Sequence, residues 1–356
     1  MRRTVLMFAL AGVAGAAAAC GGGGGAKSPP HASSSSSSSG RAAAGGAKDG
    51  PITVAFAGDV HFNGRLAARL ADPATALGPT IPELTRADLA MVNLETAITT
   101  RGKKAPKEFT FRAPASAFGA LRSAGIDVVT MANNHAMDYG TVGLHDSLAA
   151  IKKTGFPTVG IGANAAQAYR PYYVTVKGDR IAVLGATQVL DDNLVTAWTA
   201  TTKKGGLASA KNVPRLVKEV RAARRAADTV IVYLHWGQEK KPCPLPQQRT
   251  LARALVRAGA DVVVGGHAHI PLGGGFMKGR YVDYGLGNFF FTAPDRNDPD
   301  SGILELTLRK RKVLGAEWKP VFITKGVPRL LGGRAATRSH TKWEGLRRCS
   351  GLAAAP

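Results

Sequence analysis

Five short clusters in this chain carry side chains able to bind metal ions. They are Asp59-Val60-His61, Asn93-Leu94-Glu95, Asn133-Asn134-His135, His235-Trp236-Gly237-Gln238-Glu239 and Gly266-His267-Ala268-His269. Each closes a run of β-branched and apolar residues, so each is expected at the tip of a buried strand. Taken singly they say little. An aspartate at a strand end is usually a turn or cap, Asn-Asn is a turn signal, and Gly-Gly-His reads as a glycine-rich turn. Taken as an ordered series they point to a hydrolytic site with two metals. Asp59 and His61 alternate by two, so an extended strand end directs both toward one ion. Glu95 can bridge two ions through one carboxylate, Asn134 offers a neutral oxygen, and His235, His267 and His269 offer imidazole nitrogens. Carboxylate, imidazole and amide ligands without a thiolate suit Mn, Fe or Zn better than copper or a structural zinc. Two such ions about 3.5–4 Å apart hold a hydroxide and polarise a substrate oxygen. His135, next to a ligand, is the candidate general acid. Asp138 either orients His135 or caps a helix beginning near Tyr139. Asn288, in Gly285-Leu286-Gly287-Asn288-Phe289, either positions substrate or shapes a turn, and the glycines around it allow backbone to approach the site. His31, His145 and His340 lack comparable context and read as ordinary polar residues.

The elements that must position these residues alternate between strand and helix. Thr53–Ala57, Asp88–Asn93, Asp127–Ala132, Thr229–Leu234 and Asp261–Val264 read as short buried strands. Val213, Leu216, Val217, Val220 and Ala223 share one helical face, and a second helix over Gln248–Ala258 buries Leu251, Leu255 and Val256. Tyr172–Gly185 reads as a hairpin turning at Lys177-Gly178-Asp179, with late strands at Arg280–Tyr284 and Ile303–Leu308. This order implies an α/β domain with a largely parallel sheet, the late strands adding a second, mixed sheet. Ligands in such folds collect beyond the carboxyl ends of the strands, where every cluster named above falls.

Outside a domain of about 51–330, the chain reads differently. Residues 1–19 look like a lipoprotein signal: Met1-Arg2-Arg3 is basic and Thr4–Ala19 is an apolar run short for a mature membrane span. Cys20 is the expected lipidation site, although Ala17 stands three residues before it, where leucine is more usual. Ordinary signal cleavage and an uncleaved anchor are the alternatives, and all three place the domain outside the cytoplasmic membrane. The rest of a twin-arginine motif is missing, so the paired arginines read as an ordinary basic segment. Residues 20–50 are rich in Gly, Ser and Ala, including Ser33–Ser39, and form a flexible tether reaching roughly 30 Å. The basic tail, 331–356, is expected to be poorly ordered or loosely docked. Besides Cys20 the chain has only Cys243 and Cys349, which can pair in an oxidising compartment.

The formal net charge is +23. Leader and tail carry about +4 each, leaving about +15 on the domain, a field that draws anionic partners. Acidic lipids, wall polymers and polyglutamate fit an exported protein. Nucleic acid does not, since no recognisable binding module is present.

Read together, Gly58-Asp59, Asn93-Leu94-Glu95-Thr96, Asn133-Asn134-His135-Ala136-Met137-Asp138-Tyr139-Gly140, His235-Trp236-Gly237-Gln238-Glu239, Gly266-His267-Ala268-His269 and Gly287-Asn288-Phe289 resemble the bacterial capsule-synthesis CapA family. The resemblance runs from about Thr53 to Phe291. It implies a link to poly-γ-glutamate capsule and a four-layer α-β-β-α sandwich of the calcineurin-like metallophosphoesterase type, two mixed sheets flanked by helices around a dimetal site. On that resemblance Asp59, His61 and His269 hold one metal, Asn134, His235 and His267 the other, and Glu95 bridges where phosphoesterases use aspartate. Many relatives have an apolar residue in place of His61, and proline in place of Ala268.

Three functions follow. One is an exported metallohydrolase cutting a phosphoester or a γ-glutamyl amide in capsule polymer synthesis or processing. Another is a non-catalytic, polyanion-binding partner of membrane synthase subunits, and the third a module binding anionic wall polymer. A polymerising ligase is disfavoured because no P-loop pattern is present.

Overall fold

The computed structural model describes residues 50–292 and 300–356. The leader, Cys20 and the Gly/Ser tether lie outside the described residues. Strand Ile52–Val60 is buried along nearly its whole length. It pairs in parallel with Leu89–Leu94 and antiparallel with Asp300–Arg309. Around that centre the first sheet runs Val327–Leu330, Lys312–Thr324, Asp300–Arg309, Ile52–Val60, Leu89–Leu94, Val128–Thr130, Thr158–Val159, with Asn288–Phe290 added in parallel beyond Gly58. The second sheet runs Gly274–Met277, Arg280–Asp283, Val262–Gly266, Thr229–His235, Asp179–Thr187, Tyr172–Val176. Both sheets are mixed. The late strands do not form a sheet of their own: Arg280–Asp283 extends the second sheet and Asp300–Arg309 the first.

Three apolar clusters show how the layers stack. The middle one draws Val54, Phe56, Met91 and Val128 from the first sheet, and Val183, Ile231, Tyr233 and Val264 from the second. The other face of the first sheet, with Ala55, Ala90, Val92 and Val129, meets Ala117, Phe118, Leu121 and Leu144 of helices Ser116–Ser123 and Gly140–Thr154. The other face of the second, with Leu184, Val232, Leu234 and Val263, meets Leu216, Val220, Leu251 and Leu255 of helices Val213–Ala226 and Pro246–Ala258. The order is helix, sheet, sheet, helix, because alternate side chains of each central strand face different layers and both faces must leave water.

Local chemistry sets the element ends. Asn212 caps the first of those two helices by accepting a hydrogen bond from the Arg215 N–H at 3.1 Å. The second ends at Gly259, whose φ of 115° lies in the region glycine tolerates. The hairpin turns as expected through Lys177 and Gly178, both at positive φ. Gly58 allows a close backbone approach: a Cβ there would sit 1.8 Å from the Gly287 carbonyl oxygen. Gly58→Ala is expected to lower the unfolding free energy by about 2–3 kcal/mol. An unchanged denaturation midpoint would contradict that.

The tail departs from expectation. Residues Gly333–Leu346 form a helix, and its buried Trp343 stacks on Trp318 at 4.9 Å with the rings 1° from parallel. Phe276 and Ala353 exchange backbone hydrogen bonds of 2.7 and 2.9 Å, and Cys243 is disulfide-bonded to Cys349. The tail is docked because one large aromatic and a covalent bond hold it. Trp343 and Leu346 are the helix's only large apolar residues, so hydrophobic periodicity gives little sign of the docking. Among the described residues no helix is long and apolar enough to cross a membrane.

Candidate metal centre

The clusters converge from both sheets. Asp59 is the penultimate residue of Ile52–Val60, and Glu95 and Asn134 follow the next two strands of that sheet. His235 is the last residue of Thr229–His235, while His267 and His269 follow Val262–Gly266. Parallel neighbours Ile52–Val60, Leu89–Leu94 and Val128–Thr130 end at one edge, and so do Thr229–His235 and Val262–Gly266. The packed sheets bring these edges together.

Ligand atoms of Asp59, Glu95 and His235 lie within 4.8 Å of one another, as do those of Glu95, His267 and His269. Glu95 belongs to both groups. His235 Nε2 is 2.7 Å from Asn134 Oδ1 and 3.6 Å from Glu95 Oε1, and His269 Nδ1 is 3.5 Å from Asp59 Oδ2. Asn134 thus lies beside His235 and Asp59 beside His269, while the two three-residue groups join Asp59 with His235 and His267 with His269, across the division the resemblance implies. Gly266 is required here, because a Cβ would lie 2.4 Å from Asp59 Oδ1. His267 and His269 adopt φ of 87° and 58°, backbone conformations that cost side-chain-bearing residues about 1–3 kcal/mol each. The His267 N–H donates to Asp59 Oδ2 at 3.0 Å, which holds the first of these turns against the carboxylate.

The donor set fits a cation. Glu95 is fully buried, and neither carboxylate oxygen has a hydrogen-bond partner. Burial, then the Asp59 charge, push its pKa well up. A buried carboxylate among imidazoles with no donor of its own is costly without a positive charge. Burial holds His235 and His267 well below the usual imidazole range, which leaves them neutral and able to ligate. His269 differs. Burial opposes its protonation, but the Asp59 hydrogen bond and the charges of Glu95 and Asp59 outweigh that and raise its pKa to about 9. Its Nδ1 lies 2.8 Å from Asn288 Oδ1, so Asn288 orients a candidate ligand.

Beside the cluster, His135 Nδ1 is 2.6 Å from Asp138 Oδ2, while Nε2 faces Glu95 Oε1 at 3.8 Å. Of the two roles open to Asp138, the geometry selects orientation of His135, since helix Gly140–Thr154 has no side-chain cap. His61 packs against the same wall but belongs to neither ligand group. Its Nδ1 accepts from the Asn63 N–H at 3.0 Å, and its Nε2 lies 3.1 Å from the Thr292 carbonyl oxygen. Burial lowers its pKa to about 3.

Sequence reasoning passed over three contributors. The Asn93 amide donates to Asp59 Oδ1 at 2.8 Å and lies 3.1 Å from His235 Nδ1, so it braces both sheets' ligands. Lys107 is nearly buried. Its Nζ donates to the Asn134 carbonyl and lies 3.1 Å from Asp138 Oδ1 and 3.6 Å from Asp191 Oδ2. Phe111 stacks between His61 and His135, at 4.7 and 4.1 Å. Lys107 and Phe111 sit in a stretch with no periodicity, which reads as a surface loop.

A four-layer α-β-β-α domain carrying carboxylates, imidazoles and an amide at the shared strand edge has the architecture of the metallophosphoesterase class. More narrowly, the family described as "Bacterial capsule synthesis protein PGA_cap" matches residues 53–293, and the chain belongs to it. It is 33% identical over 256 residues to "Capsule biosynthesis protein CapA" of Bacillus anthracis, covering 70% of this chain and 61% of that one. It is 31% identical over 294 residues to "PGA biosynthesis protein CapA" of Bacillus subtilis, covering 79% and 74%. The chain thus spans only about three fifths of the first relative's length. Among solved structures, a "novel phosphatase" from Mycoplasma pneumoniae is 16% identical with a TM-score of 0.46, covering 82% of this chain and 97% of that one.

Proposed function

We propose that this protein is an exported, lipid-anchored metal-dependent hydrolase acting in the synthesis or processing of a poly-γ-glutamate-type polymer. The observation that carries the reading is the fully buried Glu95, unpartnered at both oxygens and shared by two groups of candidate ligands. Asp59, Glu95, Asn134, His235, His267 and His269 would hold two divalent cations, with Mn, Fe or Zn favoured by the ligand types. Bound there, the cations would activate water and polarise the oxygen of a phosphoester or γ-glutamyl amide. Asp138 keeps the proton of His135 on Nδ1, and Lys107 fixes both Asp138 and the Asn134 carbonyl. His135 Nε2 then faces the cluster with its lone pair, from where it would take a proton from the attacking water and pass it to the leaving group. The leader and Cys20 support an extracytoplasmic location, and the basic domain supports an anionic polymer as substrate.

The test is to measure bound metal in the protein from residue 50 onward, with turnover of a phosphomonoester, a phosphodiester and poly-γ-glutamate. Metal with turnover of one bond class supports the hydrolase. Retained polymer binding without metal or turnover would replace it with a non-catalytic, polyanion-binding partner of a membrane synthase. His135→Gln is expected to lower kcat by about 10²–10⁴-fold with metal content unchanged. A matching loss of metal would instead make His135 part of the binding cluster.

A further inference from the structure

Resting on the lipid-anchored reading above, we propose that the end of the domain opposite the metal centre docks on an anionic lipid surface. Lys278, Arg309, Arg311 and Lys312 meet the headgroups, Leu314 enters the acyl boundary, and the metal centre faces away from the bilayer.

Three hairpins turn at that end, through Lys177-Gly178, Lys278-Gly279 and Lys310-Arg311. They are knit to one another and to the strand starts. The Lys310 N–H donates to Asp179 Oδ2 at 2.9 Å, Arg280 donates to the Arg311 carbonyl, and Lys177 Nζ lies 2.8 Å from Asp88 Oδ2. The carboxylates here are turned inward. Asp179 accepts from the Thr229 hydroxyl, and Asp261 accepts from the Val230 N–H while pairing with Arg224 and Arg280. Asp179 and Asp261 are buried, and Asp88, Asp127 and Asp228 half-buried, whereas Lys278, Arg309, Arg311 and Lys312 are exposed. The charge left on the surface is therefore positive. Basic residues in the last turns of helices follow from the helix dipole, but hairpin tips have no dipole to complement.

Leu314 distinguishes a lipid surface from a soluble polyanion. Asp300–Arg309 and Lys312–Thr324 shift register between Thr307 and Leu308. Thr307 faces Gly315 and Leu308 faces Val313, which leaves Leu314 without a partner across the ladder. Leu314 is 55% exposed, in the same strand as Lys312. A leucine among cations suits a bilayer, which offers hydrocarbon beneath its charge, and gains nothing from polyglutamate. The chain also enters the fold here. Gly50 borders a depression of about 260 Å³ with Lys177, Asp179, Arg309 and Lys310, so a tether from Cys20 would present this end to the lipid. The nine-residue strand Ile52–Val60 runs from this end toward the metal centre. At about 3.3 Å per residue it puts Asp59 roughly 20–25 Å from the docked face.

Residues 50–356 hold all three apolar clusters and so fold as a unit, which lets docking be measured without the Cys20 lipid and without metal. At low salt this protein should sediment with vesicles of phosphatidylglycerol and phosphatidylcholine in equal parts, and not with phosphatidylcholine alone. Each cation beside such a surface is worth about fivefold in partitioning, so Lys278→Gln, Arg311→Gln and Lys312→Gln together should weaken binding about 100-fold. Leu314→Ser should weaken it about 5–10-fold and leave binding of poly-γ-glutamate unchanged. These side chains are exposed, so the thermal midpoint of each variant should match the parent's, which separates docking from misfolding. Equal binding to neutral vesicles, or a natively folded triple variant that binds anionic vesicles like the parent, would overturn the inference. So would poly-γ-glutamate binding that depends on the same cations without any vesicle binding, which would assign this end to the polymer. The anchored reading fails separately, if full-length chain purified from its membrane carries no lipid on Cys20.

Discussion

Glu95→Gln is expected to raise the thermal stability of the metal-free protein and to abolish the stabilisation that divalent cations confer. In the metal-free state the Glu95 carboxylate is fully buried and accepts no hydrogen bond, with Asp59 nearby. Folding must then either bury an uncompensated charge or protonate the group, and both cost free energy. Glutamine keeps the shape and removes the charge, so the metal-free form should gain about 1–3 kcal/mol. The loaded form should move the other way. A cation at 100 times its dissociation constant adds about 2.7 kcal/mol to the native state, and the variant forfeits this along with the bridging oxygen. Melting curves with and without Mn²⁺ or Zn²⁺ separate the two terms without any activity assay. A cation-dependent rise in Tm as large in the variant as in the parent would rule Glu95 out as a shared ligand.

The second large effect concerns the tail. The Cys243–Cys349 disulfide spans 106 residues of sequence. For a closed loop of about 100 residues, the entropy removed from the unfolded chain is worth about 4.7 kcal/mol at 25 °C. Reduction, or Cys243→Ser with Cys349→Ser, should lower the unfolding free energy by about 4 kcal/mol and move the denaturant midpoint accordingly. Amide exchange should rise first at Phe276 and Ala353, whose mutual hydrogen bonds hold the end of the tail to the second sheet. The same bond anchors the segment in which the Lys240 N–H donates to the Ala268 carbonyl at 2.8 Å, directly beside His267 and His269. Reduction is therefore also expected to weaken cation affinity. Equal midpoints for oxidised and reduced protein would mean that Trp343 and the backbone bridge hold the tail without the disulfide.

Much of the fold was legible because its strands are short, apolar and closed by polar clusters. Thr229–His235 and Val262–Gly266 lie where the runs of Val, Ile and Leu predict them, since strands buried on both faces tolerate little else. The two helices packed on the second sheet follow from one-sided periodicity. Which sheet each late strand joins was not legible. Arg280–Asp283 and Asp300–Arg309 have similar patterns, and their partners lie tens to hundreds of residues away in sequence. The pairing of Cys243 with Cys349 was open in the sequence, but the Trp343–Trp318 stack and the Phe276–Ala353 backbone bonds that dock the tail with it were not, because both are long-range.

The site divides along the same line. Sequence alone determined the cast, with Asp59, Glu95, Asn134, His135, His235, His267 and His269 each closing a strand, because the ends of parallel strands are where a sheet exposes polar groups without breaking its hydrogen bonds. The tertiary structure decided which way each side chain points. It turned Asp138 to His135 and Asn288 to His269, brought Lys107 and Phe111 from an unremarkable loop, and set both His61 nitrogens against backbone groups. Spacing in sequence specifies direction only while the backbone stays regular, and the register shift after Asp59 breaks that regularity within two residues of the ligand it follows.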